Sequence, residues 1–227
     1  MKKNTFLRVG LALTALMAAF IVLGLIWTPY APNAMDFSRL LPPSPAHPMG
    51  TDKFGRDILS RVMVGAGDTL LIALGTVAIG TVVGTLVGAL TGWYGGWVDE
   101  VLMRLNDALA SFPSILILLV LVSLLGGGRW HMMLALGIVF IPSYARIVRS
   151  EFARARTRNY VHMAELMGAS TARILFIHIL PNIWHTLVSA ITIGFNNAVL
   201  AEAAMSYLAI GVSPDEASLG YMLSESQ

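Results

Sequence analysis

Five long apolar runs constrain this 227-residue chain more than any other feature. Each approaches the roughly 20 residues with which a helix crosses the hydrocarbon core of a bilayer. Backbone groups in lipid must be hydrogen-bonded within their own segment, so helices are expected. Only 12% of the residues are charged, whereas a soluble domain has about a quarter. We therefore predict an all-α, polytopic membrane helix bundle with five spans, at residues 9–27, 69–91, 101–125, 132–148 and 183–212.

The first run follows a short basic start, MKKNTFLR, like the beginning of a signal peptide. The apolar part of a secretory signal is usually about 7–15 residues long and ends at a small-residue cleavage site. This run is longer and no clear cleavage site follows it. We therefore predict an uncleaved first span.

The positions of Lys and Arg predict the direction of the spans. With the N-terminus inside, ten of the fifteen Lys and Arg residues fall on the inner side, which positive residues favour. The N-terminus is thus predicted to be cytoplasmic. We divide the chain into an N-terminal span and outer loop, 1–68, and a transmembrane domain, 69–227, with a cytoplasmic loop at about 146–185. The proline-rich outer loop is either an exposed linker or a docking surface for an extracytoplasmic partner.

Glycine and proline mark the second and third runs. Gly80, Gly84, Gly88 and Gly92 recur every fourth residue, so they share one helix face. Small residues at this spacing let helices approach closely in lipid, either for plain packing or at a moving interface. Pro113 lies within the third run and is expected to kink it.

The amphipathic segment YVHMAELMGASTARILFIHILPN, residues 160–182, predicts two short helices around a turn. Gly168 stands where a left-handed C-terminal cap is commonest, Ser170 is a candidate N-cap, and Pro181 should end or bend the second helix. Each helix would be too short to cross the membrane. Each has an apolar face that needs either the membrane surface or a groove on another protein. The apolar positions follow the i, i+3, i+4, i+7 pattern at Tyr160, Met163, Ala164 and Met167, and at Ala172, Leu175, Phe176 and Ile179.

The chain carries no recognisable catalytic, cofactor-binding or metal-binding motif. It has no cysteine, which excludes disulfides, thiolate zinc sites and cysteine nucleophiles. Phosphate-loop, zinc-protease and serine-hydrolase motifs are also missing from the sequence. His178 and His185 could share a helix face, but no third ligand stands nearby. Glu202 is an ionisable residue within an apolar run, and either a functional role or a buried hydrogen-bonded carboxyl fits it.

The segment 160–182 resembles the cytoplasmic "EAA" loop of ABC-importer permeases. Gly168, Leu180 and Pro181 match in register, Ala164 matches the second Ala, and the ending HILPN is similar to the dipeptide, oligopeptide and nickel branch. His162 stands in place of the motif's Glu, and Met163 in place of its first Ala. The resemblance implies contact with an ATP-hydrolysing subunit through Tyr160, His162, Met163, Ala164, Gly168, Ala169, His178, Leu180 and Pro181.

Three further stretches resemble the same branch, so that the resemblance covers the chain from Pro29 onward. They are HPMGTDKFGRDILSRVMVGA, YGGWVDEVLMRLNDALASFP and AEAAMSYLAIGVSP, the last of which contains Glu202. The first is similar to the branch's outer-loop signature, at Gly50, Thr51, Asp52, Gly55, Arg56 and Asp57 among others.

The resemblance implies an ABC-importer permease fold and a transport subunit rather than an enzyme. Its solutes would be peptides, nickel or related small solutes, and ATP and Mg would bind a partner rather than this chain. The implied partners are a second permease subunit in a heterodimer, two ATP-binding cassette subunits, an extracytoplasmic solute-binding protein and the lipid of a bacterial inner membrane, with no nucleic acid. The alternative is a stand-alone secondary carrier or channel, which predicts inverted repeats and paired polar residues in several spans. A membrane anchor without transport is a third reading.

The family implies six spans, so with five this chain is expected to be a partial permease whose residues 213–227 lie outside. That tail has no Lys or Arg to oppose this placement. Alkaline phosphatase fused after Gln227 should be active, and a fluorescent protein that folds only in the cytoplasm should stay dark there. The reverse result would mean an even number of spans and would invert every loop assignment.

Overall fold

A computed structural model describes residues 3–211, 213 and 216–227, and the described residues form helices and turns with one isolated β-bridge, Thr51 to Asp57. The prediction of an all-α membrane protein is confirmed. By length and composition, four of the described helices can cross a membrane, or five if a bent pair counts as one span. The helices are α1 (Lys3–Ile26), α2 (Ile58–Tyr94), α3 (Gly96–Ala110), α4 (Ser114–Leu125), α5 (Arg129–Arg156), α6 (Asn159–Leu166), α7 (Thr171–Tyr207) and α8 (Leu219–Glu225).

The chain forms two compact units. The first contains Met1–Leu71 and Ala203–Gln227, and the second contains Ile72–Glu202. In the first unit, α1 passes close to the start of α2: a Cβ on Gly24 would lie 2.7 Å from the carbonyl oxygen of Met63. Most of the surface of α1 is apolar and exposed, as expected of a helix that borders lipid.

In the second unit, the predicted glycine face of α2 packs directly against α5. A Cβ on Gly84 would lie 2.5 Å from the Cβ of Tyr144, and one on Gly88 would lie 2.6 Å from the carbonyl oxygen of Ala145. A Cβ on Gly92 would likewise meet the backbone of α5. Because backbones touch at each turn, the close helix approach predicted from this spacing is confirmed.

Pro113 does more than kink the third predicted span. It separates α3 from α4, and the two helices meet at 91°. Proline disfavours a helical conformation in the residue before it, here Phe112, so α3 ends a short turn earlier. The predicted kink at Pro113 is therefore confirmed as a complete break, and a bent pair of helices occupies the run predicted as the third span.

The helices that occupy the last two predicted spans are longer than the apolar runs from which those spans were predicted. α5 continues eight residues beyond 148, to Arg156, and α7 begins at Thr171 rather than at 183. The predicted end of the last span, residue 212, lies outside the described residues. α7 includes a π-helical stretch, Ile174–Ile179, and a 3₁₀ turn, Leu180–Ile183.

The glycine face supplies a stability test. Gly88→Val should destabilise the protein by about 1–3 kcal/mol, because the added atoms would press on the backbone of α5. The matched control is Gly10→Val in α1, where no atom lies within 4 Å of an added Cβ. Thermal unfolding in detergent should show a lower melting temperature for the first variant alone. Equal melting temperatures would contradict the packing described for α2 and α5.

Candidate coupling segment and outer-loop cluster

The coupling segment, residues 159–183, follows the C-terminal end of α5 and includes the first turns of α7. Its first helix, α6, ends in a Schellman motif: the N–H of Gly168 donates to the carbonyl of Glu165 at 2.9 Å, and that of Ala169 to the carbonyl of Ala164 at 3.0 Å. Gly168 has a φ of 78°, which a residue with a Cβ adopts only under strain. The predicted left-handed cap is confirmed, and no atom from outside its immediate chain neighbours lies within 4 Å of an added Cβ.

The second half of the segment differs from its prediction. Pro181 does not end a short helix, since α7 runs through it to Tyr207. The π-helical and 3₁₀ turns around Pro181 change the local hydrogen-bond spacing, and Asn182 Nδ2 donates to the carbonyl of His178 at 2.8 Å. Ser170 occupies the N-cap position, but its hydroxyl makes no capping bond. The segment is thus one short helix, a turn, and the start of a membrane-spanning helix.

The inner side of the coupling segment is part of the core of the second unit. Val161 and Ile179 are fully buried, and Ile174 is nearly so. They pack in one cluster with Val148 and Phe152 of α5. The segment is therefore joined to the helix bundle by close apolar contact. The cluster also includes Ala89, Trp93, Ala155, Leu175, Ile183 and Leu187, with Ala164, Ala169 and Leu180 packed against it.

The outer side of α6 carries an apolar patch, defined here as Met163, Leu166 and Met167. These residues stand at i, i+3 and i+4, so they share one face, and they are 57%, 82% and 85% exposed. The sequence pattern placed Met163 and Met167 on an apolar face that needs an outside partner, which agrees with their exposure, but it missed Leu166. It also missed Val161, which takes the buried place. The sequence did indicate that both sides of α6 make apolar contacts, because apolar residues occur on both sides of this short helix.

The remaining predicted residues of the segment lie near its surface. His162, which replaces the Glu of the family motif, has its Nδ1 3.4 Å from Glu165 Oε2 on the same helix. Tyr160 is 38% exposed, His178 is partly buried, and Pro181 is exposed. The structure thus brings the predicted residues together along one segment, with Ala164, Ala169 and Leu180 turned inward.

The outer-loop signature forms a folded, charge-rich cluster in the first unit rather than a linker. Asp57 is fully buried, 2.9 Å from His47 Nδ1, and it accepts hydrogen bonds from the backbone and hydroxyl of Ser60. Asp52 accepts from the backbone and Nε of Arg56. Arg56 in turn donates to Glu225 of α8 at 3.0 Å. These bonds tie the loop to the start of α2 and to the tail helix.

Two glycines and a threonine close this cluster. Gly50 and Gly55 have φ values of 75° and 82°. A Cβ at either would collide with a carbonyl oxygen, of Leu41 or Phe37 respectively. The Thr51 hydroxyl donates to the carbonyl of Ser38 at 2.7 Å. Every predicted signature residue therefore has a local structural role.

Hydrogen bonding sets the charge state of the two loop carboxylates. Burial acts to raise the pKa of Asp52, but the hydrogen bonds from Arg56 and Phe54 outweigh it and hold that pKa below 3.8. For Asp57, burial likewise acts to raise the pKa, and the hydrogen bonds from His47 and Ser60 bring it below the same ordinary value. Both groups are therefore carboxylates at neutral pH.

Glu202 lies in α7 and is only 1% exposed. A gating role and a structural role both remain predictions for it. Among the described residues, no group of three or more His, Asp or Glu side chains converges as a metal site would require.

Comparison with known proteins identifies similar chains. The profile of the family described as "Binding-protein-dependent transport system inner membrane component" matches residues 84–227. The Dipeptide transport system permease protein DppC of Haemophilus influenzae is 34% identical over 233 residues, covering 100% of this chain and 79% of that protein. The Probable D,D-dipeptide transport system permease protein DdpC of Escherichia coli is 36% identical over 222 residues, covering 94% of this chain and 74% of that protein.

The lowered pKa values predict how stability depends on pH. Because each folded pKa lies below 3.8, the stabilisation is complete above that pH and is lost as the pH falls through the folded values. Asp57→Asn should cost about 1–3 kcal/mol near neutral pH, because one buried acceptor is replaced. As the pH falls from 6 to 3, the free energy of unfolding of this variant should also decrease less than that of the parent protein.

Thermal unfolding at the two pH values measures this effect. Asp36→Asn is the matched control, because Asp36 is an exposed carboxylate of the same loop. A melting temperature for the Asp57 variant that matches this control at pH 6 would show that the buried network contributes little.

Proposed function

The chain belongs to the family of binding-protein-dependent transport system inner membrane components, and from this membership we propose that it couples ATP hydrolysis on a partner subunit to solute import. It is a multi-pass membrane permease of the ABC-importer class. The proposal concerns what this permease transports, what drives it and which subunits it joins.

The apolar patch on α6 is the observation that carries the proposal. Three large apolar side chains, two of them more than four-fifths exposed, project from a segment that is not itself a span. Exposed apolar groups of this kind mark sites of contact with a protein or a membrane. We infer that the patch of Met163, Leu166 and Met167 enters a groove on an ATP-hydrolysing subunit, as an amphipathic helix does in helix-in-groove recognition.

The inner side of the same segment supports the coupling role. Val161 lies two residues before Met163, on the opposite side of the helix from the patch, and it packs in the cluster that contains Val148 and Phe152 of α5. A displacement of α6 by a partner must therefore displace or repack α5. Close-packed apolar contacts transmit such movement because they resist compression.

The other subunits of the transporter are proposed from the family membership. We propose a second permease subunit, most often a different chain, two ATP-binding cassette subunits that hold ATP and Mg, and an extracytoplasmic solute-binding protein. The outer-loop cluster is the proposed surface for the solute-binding protein, with the N-terminus in the cytoplasm. Because two similar permeases carry dipeptide names, peptides are the proposed solutes, ahead of nickel. A stand-alone carrier would instead transport without ATP.

The patch can be tested directly. Leu166→Ser combined with Met167→Ser should lower the amount of co-purified ATP-hydrolysing subunit roughly tenfold or more, because a few buried apolar anchors dominate interface affinity. Uptake of labelled dipeptide driven by ATP should fall in parallel, while the amount of permease in the membrane stays the same.

Met35→Ser provides the matched control, because Met35 is 60% exposed but lies in the outer loop. It should leave subunit co-purification unchanged. Normal co-purification of the patch variant would reject the docking assignment. Dipeptide uptake that persists in the parent complex without ATP would reject the ATP-driven function itself.

A further inference from the structure

Four polar side chains form a stripe on α7, defined here as His185, Ser189, Thr192 and Asn196. Their spacing of four, three and four residues places them on one face of the helix, over about 16 Å at the helical rise. All four are exposed. The stripe thus covers roughly half the thickness of a bilayer core.

The opposite face of α7 is buried and apolar. Leu187 is 4% exposed and Ala198 is fully buried, and Gly194 packs against the Tyr144 ring of α5. The stripe therefore points away from the core of its own unit. The hydroxyls of Ser189 and Thr192 donate only back to their own helix, to the carbonyls of His185 and Val188.

Val188 and Ile193, which flank the stripe on α7, are 39% and 64% exposed, and other exposed helix faces of the second unit are largely apolar. Along α2 the large exposed side chains include Val82 and Leu86, at 59% and 45%, and along α4 they include Val120 and Leu124, at 58% and 78%. Apolar helix faces of this kind are suited to contact with lipid chains. An amide such as that of Asn196 in hydrocarbon loses its hydrogen bonds to water at a cost of several kcal/mol. Polar groups within spans accordingly face a cavity or a partner.

A hollow of about 280 Å³ is lined on α7 by Ala190, Ile193 and Asn197, each of which directly follows a stripe residue along the chain. Its polar lining includes Asn197 from α7, Ser143 from α5 and Ser114 from the start of α4, and its apolar lining includes Phe140 and Ile193. Three helices thus contribute uncharged hydrogen-bonding groups to one side of the unit. Apolar lining with a few polar groups is the composition of a site for a small solute.

We propose that the stripe and this hollow form one wall of the water-filled route along which the solute crosses the membrane. This inference rests on the proposed import function and assigns residues to it. The wall presents hydroxyl, amide and imidazole groups but no carboxylate or Lys and Arg side chain. It therefore suits the amide groups of a short peptide, which need hydrogen-bond partners as they leave water, and it has no ligand set for a bare metal cation.

Single cysteines can test the wall without any background mutation in this chain, because it has no cysteine of its own. Ser189→Cys, Thr192→Cys and Asn196→Cys would be compared with Val82→Cys and Val120→Cys, whose positions are similarly exposed on apolar faces. The probe is a charged methanethiosulfonate, applied to open membrane fragments that hold the assembled complex. The stripe thiols should react roughly tenfold faster or more, because only a thiolate in water is reactive.

The outcomes separate this inference from the proposed function. Stripe thiols that react as slowly as the two controls, in the assembled complex, would overturn the wall, whether lipid or a packed subunit covers the face. Reaction without any loss of dipeptide uptake would overturn it too, since a label on the route must block passage. Reactive stripe thiols in a complex that never imports dipeptide would support a water-lined face and refute the importer function instead.

Discussion

The close approach of α2 and α5 is the contact on which the second unit depends. At Gly84, Gly88 and Gly92 the two backbones come together with no side chain between them. Lipid gives helices little hydrophobic reason to associate, so packing of this kind must hold them. At the level of Gly88 and Gly92, α5 contributes Val148 and Phe152, which pack in one cluster with the coupling segment. The position of that segment therefore depends on the same stretch of the α2–α5 contact.

Local backbone rules made several features predictable from the sequence. Gly168 was identifiable as a left-handed cap because few other residues adopt that conformation without strain. The glycine face of α2 was identifiable because the four-residue spacing of its glycines matches the period of a helix. Pro113 and Pro181 show where such rules stop. The same residue type breaks one run by 91° and is absorbed within a helix in the other. The difference depends on whether π-helical and 3₁₀ turns can accommodate the missing N–H, which tertiary packing decides.

The two faces of a helix could be found from the sequence, but not what covers each of them. On α6 the apolar pattern predicted one face that needs an outside partner, and Met167 on that face is 85% exposed, but the pattern missed Val161, which is buried on the other side. Apolar periodicity assumes a single core, whereas this helix has one apolar side against its own bundle and another turned outward. The contact between buried polar groups of the outer loop could not be predicted from the sequence for a related reason. Asp57 and His47 are ten residues apart, and only the fold brings them to 2.9 Å.

The continuity of α7 links the coupling segment to the proposed wall. Ile174 and Ile179 anchor its first turns in the cluster beneath α5, and the polar stripe begins at His185, less than two turns further on. If Pro181 had ended a separate helix, as the sequence suggested, a flexible connection would separate the coupling segment from the stripe. A continuous helix instead carries rotation or translation along its axis. Under the proposed function, a displacement imposed on α6 therefore reaches the groups that face the solute through one helix, by way of its π-helical and 3₁₀ turns at residues 174–183.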